Sequence, residues 1–163
     1  MRRLILFRHA KTEAHRPGGD FERRLTNRGR RDALAMGQRL ARAGLAPDLV
    51  LTSTARRATE TWSCASPALP KARVEMLDAL YNAAPGTILG EIERFENQGE
   101  TLMAIGHNPG LQELAVFLVA RAAGSASDIQ RLASAFPTAT AAVYAVDEAG
   151  RFALEDLLLP ERR

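Results

Sequence analysis

Arg3-Leu4-Ile5-Leu6-Phe7-Arg8-His9 opens the chain with an apolar run that stops at an arginine and a histidine. A short run without polar alternation is the pattern of a strand covered on both faces, as in a parallel sheet. Thr101-Leu102-Met103-Ala104-Ile105-Gly106-His107 repeats that arrangement, again ending in a histidine. Asp48 to Thr52, centred on Leu49-Val50-Leu51, supplies a further buried strand, and Arg73 to Met76 a shorter one.

Helical signals lie between these runs. Thr26 is placed to cap a helix whose apolar stripe, Leu34, Met36, Leu40 and Ala41, ends near Gly44. Ser53 or Thr54 is expected to cap the next, through Arg57, Thr61 and Trp62 until Pro67 ends it. Pro85 suits the first turn of a helix through Leu89 and Ile92 to Phe95. Gly106-His107-Asn108-Pro109-Gly110 reads as a tight turn into a helix from Leu111 to about Ala120. Lys11 to Arg24, which holds Pro17-Gly18-Gly19, has no apolar periodicity and reads as a loop. The signal weakens after Gly124, then Thr140 to Val146 and Phe152 to Leu158 form a closing hairpin across Asp147 to Gly150. Strands alternating with helices predict an α/β three-layer sandwich, a mostly parallel central sheet with helices on both faces. The 163 residues fit a single domain, 1–163.

Composition narrows the function classes. Cys64 is the sole cysteine, which excludes an intramolecular disulfide and a thiolate zinc site and favours a reducing compartment. The opening apolar run is too short for a signal peptide, and no run is long enough to cross a bilayer, so a cytoplasmic protein with no membrane partner is expected. Lys11 and Lys71 are the only lysines among 22 basic residues, so arginine, the residue suited to a bidentate grip on phosphate, dominates. The arginines alternate with acids and the net charge is only +3, which argues against a nucleic-acid partner.

His9 and His107 each follow a strand, and in open α/β sheets ligands bind at the carboxyl ends of strands. Both imidazoles therefore fall on one edge, whereas His15 lies in the polar loop and is read as solvated. Neutral imidazole is a good nucleophile, and attack on phosphorus requires positive groups around the phosphoryl oxygens. Arg8 and an arginine at the start of the helix after the second strand are placed to supply them. Helix amides after Asn108 add the positive end of a dipole.

These residues resemble the histidine phosphatase superfamily, which includes the cofactor-dependent phosphoglycerate mutases and acid phosphatases. Its first motif, a strand ending Arg-His-Gly, is similar to "LILFRHAKTE", with Arg8, His9 and Ala10 in the glycine place. "STARRATET" carries the second, with Ser53, Arg57, Ala58 and Thr61 in register, so that Arg57 and not Arg56 is the phosphate-binding arginine. "AIGHNPGLQEL" carries the third, with His107. "DFERRLTNRGRRDA" resembles the short phosphohistidine phosphatases of the SixA type and brings Asp20 and Arg23 toward the site. The three motifs span about Arg3 to Leu118, and the chain lacks room for a large inserted helical cap.

The resemblance implies a phosphatase acting through phospho-His9. Arg8, Arg57 and His107 then stabilise the phosphoryl charge, and Arg23, Lys11 and Asn108 contribute to phosphate or substrate binding, with Thr12 beside Lys11 at the entrance. "DALYNAAPG" carries Asn82 where many relatives carry an acid, and Asp78 is read as a turn residue, which leaves Asp20 as the possible general acid. A missing strong acid favours a phosphorylated protein, with phosphohistidine as its labile group, over an ordinary ester. The alternatives are a phosphatase of small phosphorylated substrates, esters or anhydrides, and a non-catalytic phosphate-binding module. A mutase is disfavoured because the chain is too short to build a closing lid. Neither cofactor nor metal is expected, since arginines and helix amides take a metal's place and no carboxylates cluster at metal-site spacing.

Overall fold

A computed structural model describes residues 1–161. Strands β1 (Arg3–Arg8), β2 (Leu49–Ser53), β3 (Arg73–Leu77), β4 (Thr101–Gly106), β5 (Ala141–Val146) and β6 (Phe152–Leu158) form one sheet in the order β3-β2-β4-β1-β5-β6. The first four run parallel, and β5 runs against both β1 and β6.

Alternation along β1 builds two cores. Leu4 and Leu6 face one side, with Leu49, Leu51, Leu102 and Ala104, against α3 (Pro85–Phe95), α4 (Gly110–Arg121) and α5 (Ala126–Ser134). Ile5 and Phe7 face the other, with Val50, Met103 and Ile105, against α1 (Asn27–Arg42) and α2 (Arg56–Ala65). Every residue from Leu4 to Phe7 is fully buried, which is why the run shows no polar alternation. The expected three-layer arrangement is the one observed.

The α1 cap is the expected one: Thr26 Oγ1 accepts from the Gly29 amide. The α2 cap is not. Ala55 occupies that position without a side-chain bond, because Ser53 and Thr54 are engaged elsewhere. Thr54 Oγ1 donates to Asp78 at 2.7 Å, and Ser53 belongs to the site described below. Helix α5 and its Ser125 cap lie where the sequence signal had faded. Only Leu132 of that helix is fully buried, with Ile129 packed beside it, so its apolar face is two residues wide and easily missed.

Two glycines fix the loops around the β1 and β4 ends. A Cβ on Gly29 would collide with the Lys11 carbonyl, and one on Gly110 with the Ala83 carbonyl. The loop after His9 therefore packs directly on α1, and the loop carrying Asn82 packs on the start of α4.

Candidate active site

Parallel pairing of β1 with β4 sets Arg8 opposite Gly106, so the next residues of both strands emerge side by side. The His9 and His107 rings lie 5.1 Å apart between centroids and are tilted by 54°. They line a cavity of about 350 Å³ together with Arg8, Lys11, Thr12, Asp20, Arg23, Arg57, Asn82, Asn108 and Thr138. Both histidines are buried, while Lys11 and Asp20 stand exposed at the rim. His15 is exposed and absent from the lining.

Hydrogen bonds fix the tautomer of each ring. His9 Nδ1 lies 2.9 Å from the Ala10 carbonyl, which only accepts, so Nδ1 carries the proton and Nε2 keeps its lone pair. His107 Nδ1 accepts from Arg57 Nε at 3.1 Å, so its proton sits on Nε2, 2.8 Å from Ser53 Oγ. Burial, opposed by the Ala10 bond and reinforced by the charges of Arg57, Arg8 and Arg23, lowers the pKa of His9 to about 4. Burial and the Arg57 charge lower that of His107 to about 3. Both imidazoles are therefore neutral at pH 7.

Arg57 is buried at the first turn of α2. Its Nη1 donates to the Asp20 carbonyl at 2.8 Å, and its Nη2 to Asp20 Oδ2 at 3.0 Å and Asn82 Oδ1 at 3.4 Å. Its neighbour Arg56 points elsewhere, to Glu60 and Glu22. Thr61 donates to the Arg57 carbonyl and accepts from the Ala10 amide, tying α2 to the chain just beyond His9. Arg23 donates to the Glu13 carbonyl, to Asp20 Oδ1 and to Thr12 Oγ1. The Arg8 guanidinium donates to the Phe136 carbonyl at 2.7 Å. The Asn108 amide donates to that same carbonyl and to Gln112, so it braces the wall as well as lining the cavity.

Asp20 departs from the role of a proton donor. Partial burial opposes its ionisation, yet hydrogen bonds from Tyr81 and Arg23 and the charge of Arg57 hold its pKa down at about 2. It is a carboxylate at any physiological pH. Asp78 lies outside the cavity lining and accepts from Thr54.

Three contributors were missed by sequence reasoning. Tyr81 stacks edge-on to His107 at 5.7 Å, lies against the Arg57 guanidinium and donates to Asp20. Its position beside Asn82 in a polar loop was the only available hint. Glu60 accepts from the Leu25 amide, Arg30 and Arg56, anchoring the approach to α1. The segment Phe136–Ala139 forms a wall through Thr138, and the Ala139 amide is shared between the Arg8 and His9 carbonyls. Ala139 has φ 62°, a conformation that L-residues rarely adopt.

The family model of the histidine phosphatase superfamily, branch 1, matches residues 4–139. The chain belongs to that superfamily. Histidine phosphatases similar to it include SixA of Agrobacterium tumefaciens, a phosphohistidine phosphatase by provisional assignment. That structure is 31% identical, covers 98% of each chain and superposes with a TM-score of 0.86. An uncharacterized protein of Mycobacterium tuberculosis is 39% identical over 140 residues, 85% of this chain and 86% of that one. The fold is also that of the protein histidine phosphatase SixA complexed with tungstate, 21% identical over 96% of each chain with a TM-score of 0.75. Phosphorylated substrates follow from this membership.

Proposed function

We propose that this histidine phosphatase hydrolyses phosphohistidine on a protein, with His9 as nucleophile. The observation that carries the reading is chemical: a free imidazole nitrogen faces an arginine-lined cavity, and Asp20, the only carboxyl lining it among the described residues, is ionised.

His9 Nε2 attacks phosphorus in line with the leaving group, the P–N bond to the substrate imidazole breaks, and its electron pair returns to that ring. If the distal nitrogen of the leaving ring is protonated, the ring departs as neutral imidazole without an acid. An alkoxide would require a proton that the ionised Asp20 does not hold. Arg8, Arg57 and His107 stabilise the spread phosphoryl charge, with Arg23, Lys11 and Asn108 around it.

The Ala10 carbonyl keeps Nδ1 of phospho-His9 protonated, so the intermediate is the labile cationic form. Water then attacks phosphorus, the P–Nε2 bond breaks, and His9 recovers its lone pair while inorganic phosphate leaves. The nucleophile and charge stabilisation come from side chains, so chelator is expected to leave the rate unchanged. Among the described residues no helix is long and apolar enough to cross a membrane.

The deciding assay measures phosphate release from a phosphohistidine-bearing carrier protein and from p-nitrophenyl phosphate, in chelator, with His9→Ala as control. Release from the carrier that vanishes in the variant supports the reading. Activity on the small ester alone would make this a small-molecule phosphatase, and no activity on either would leave a phosphate-binding module.

A further inference from the structure

Arg57 directs most of its hydrogen-bonding capacity at its own chain. Of the five N–H groups of a guanidinium, Nε goes to His107, one on Nη1 to the Asp20 carbonyl, and Nη2 to Asp20 Oδ2 and Asn82 Oδ1. The Arg57 side chain is 4% exposed and the Asp20 side chain 46% exposed, so the carboxylate covers the buried cation from the solvent side. An incoming anion that pairs with the Arg57 fork meets a carboxylate already there, and two anions on one guanidinium repel.

The segment holding that carboxylate is lightly fastened. Asp20 begins a short 3-10 turn, Asp20–Glu22, with no fully buried residue. Gly18 and Gly19 precede it with φ of 103° and 92°. Besides the Arg57 bonds to the Asp20 carbonyl and carboxylate, its fastenings include the Tyr81 hydroxyl, the Arg23 pair, an edge-to-face contact of Phe21 with Tyr81 at 5.0 Å, and a 3.6 Å pair between Glu22 and Arg56. Exposed pairs of this kind are weak. Arg57, by contrast, stays anchored through His107 when Asp20 leaves.

We propose that Asp20 is a displaceable internal anion and the specificity determinant of this pocket: it holds the Arg57 fork until a doubly charged terminal phosphoryl group replaces it, and excludes singly charged phosphodiesters and carboxylates. The inference rests on reading the cavity as a phosphoryl site. A dianion brings twice the charge of the group it displaces and several acceptor oxygens for the two-pronged guanidinium. A monoanion offers no such surplus.

Calorimetric titration of inorganic phosphate and of dimethyl phosphate, at a pH where phosphate is a dianion, tests this on the wild type, Asp20→Asn and Tyr81→Phe. Asp20→Asn keeps the shape of the group and removes its charge. It is expected to bind phosphate about tenfold tighter, the scale of one charge-assisted hydrogen bond, and to gain more for dimethyl phosphate, so that discrimination narrows. Tyr81→Phe removes one fastening and shifts phosphate affinity the same way, by about two- to threefold; it carries the test if Asp20→Asn fails to fold. Unchanged or weaker phosphate binding in the folded variants would overturn the proposal, as would absence of phosphate binding in all three proteins. Tighter binding in the variants of an enzyme that releases no phosphate from the carrier protein would instead sink the phosphohistidine reading and leave this inference standing.

Discussion

His9 is chemically useful because two separate facts coincide at it. Its Nδ1 is committed to a carbonyl, which frees Nε2, and burial among arginines keeps the ring neutral. In the free enzyme kcat/KM is therefore expected to hold across the neutral range and to fall on the acid side only as pH drops through about 4, when His9 gains a proton. A rate profile on a substrate that does not itself titrate there measures this, and an acid limb near 6.5, the ordinary imidazole value, would refute the lowered pKa of His9. Arg57 serves both His107 and the cavity, and lysine reproduces neither its planar fork nor its Nε contact. Arg57→Lys should lower kcat about 10²- to 10³-fold, the loss typical of a removed charge-stabilising donor. Ser53→Ala leaves the His107 Nε2 proton without its partner in a buried site, and should cost about 1–3 kcal/mol of stability by denaturant titration. Serine in the second motif thus holds a histidine in place and does not cap a helix.

At the scale of elements, the site depends on loops pressed against helices at glycine. Gly29 is outside the cavity, yet an added methyl there meets the Lys11 backbone and must push the loop after His9 away from α1. Gly29→Ala is expected to destabilise the protein by about 1–3 kcal/mol, as overpacking does, and to reduce phosphatase activity. Gly90 in α3 supplies the contrast, being an exposed helical position with nothing within 4 Å of an added Cβ. Gly90→Ala should stabilise by about 0.5–1 kcal/mol through helix propensity alone. Opposite shifts of the urea midpoint confirm the pair; two shifts of the same sign would contradict the packing at Gly29.

For the whole molecule, the two neutral histidines couple stability to pH. Each has a folded pKa below its ordinary 6.5, about 4 for His9 and about 3 for His107. Above 6.5 the rings are neutral in both states and contribute nothing to the pH dependence. As pH falls below that, the unfolded chain binds protons that the folded chain refuses, so stability drops until the folded pKa values are passed. Thermal unfolding midpoints should decline from pH 6.5 toward 4, with a shallower decline in His9→Ala and His107→Ala. An equal slope in the variants would place the acid sensitivity elsewhere.

The sequence by itself pointed to the layered α/β architecture, because unbroken apolar runs such as Leu4–Phe7 are too short for a buried helix and read as strands with both faces covered, and glycine and proline mark the ends of the intervening helices. It also determined that His9 and His107 share an edge, since each terminates such a strand, while the direct pairing of β1 with β4 that makes them neighbours came from the structure. The family resemblance, through the register of its second motif, led to the expectation of Arg57 rather than Arg56 at the site, and it is Arg57 that lines the cavity. Only the tertiary structure decided what those groups do to one another. The partner of Ser53, the hold of Tyr81 and Arg57 on Asp20, and the wall built by Phe136–Ala139 all join residues far apart in the chain. Apolar periodicity reports which face of an element is buried and is silent about which polar atoms meet. The tautomer of His107 depends on such meetings, and the ionisation of Asp20 on them together with the nearby Arg23.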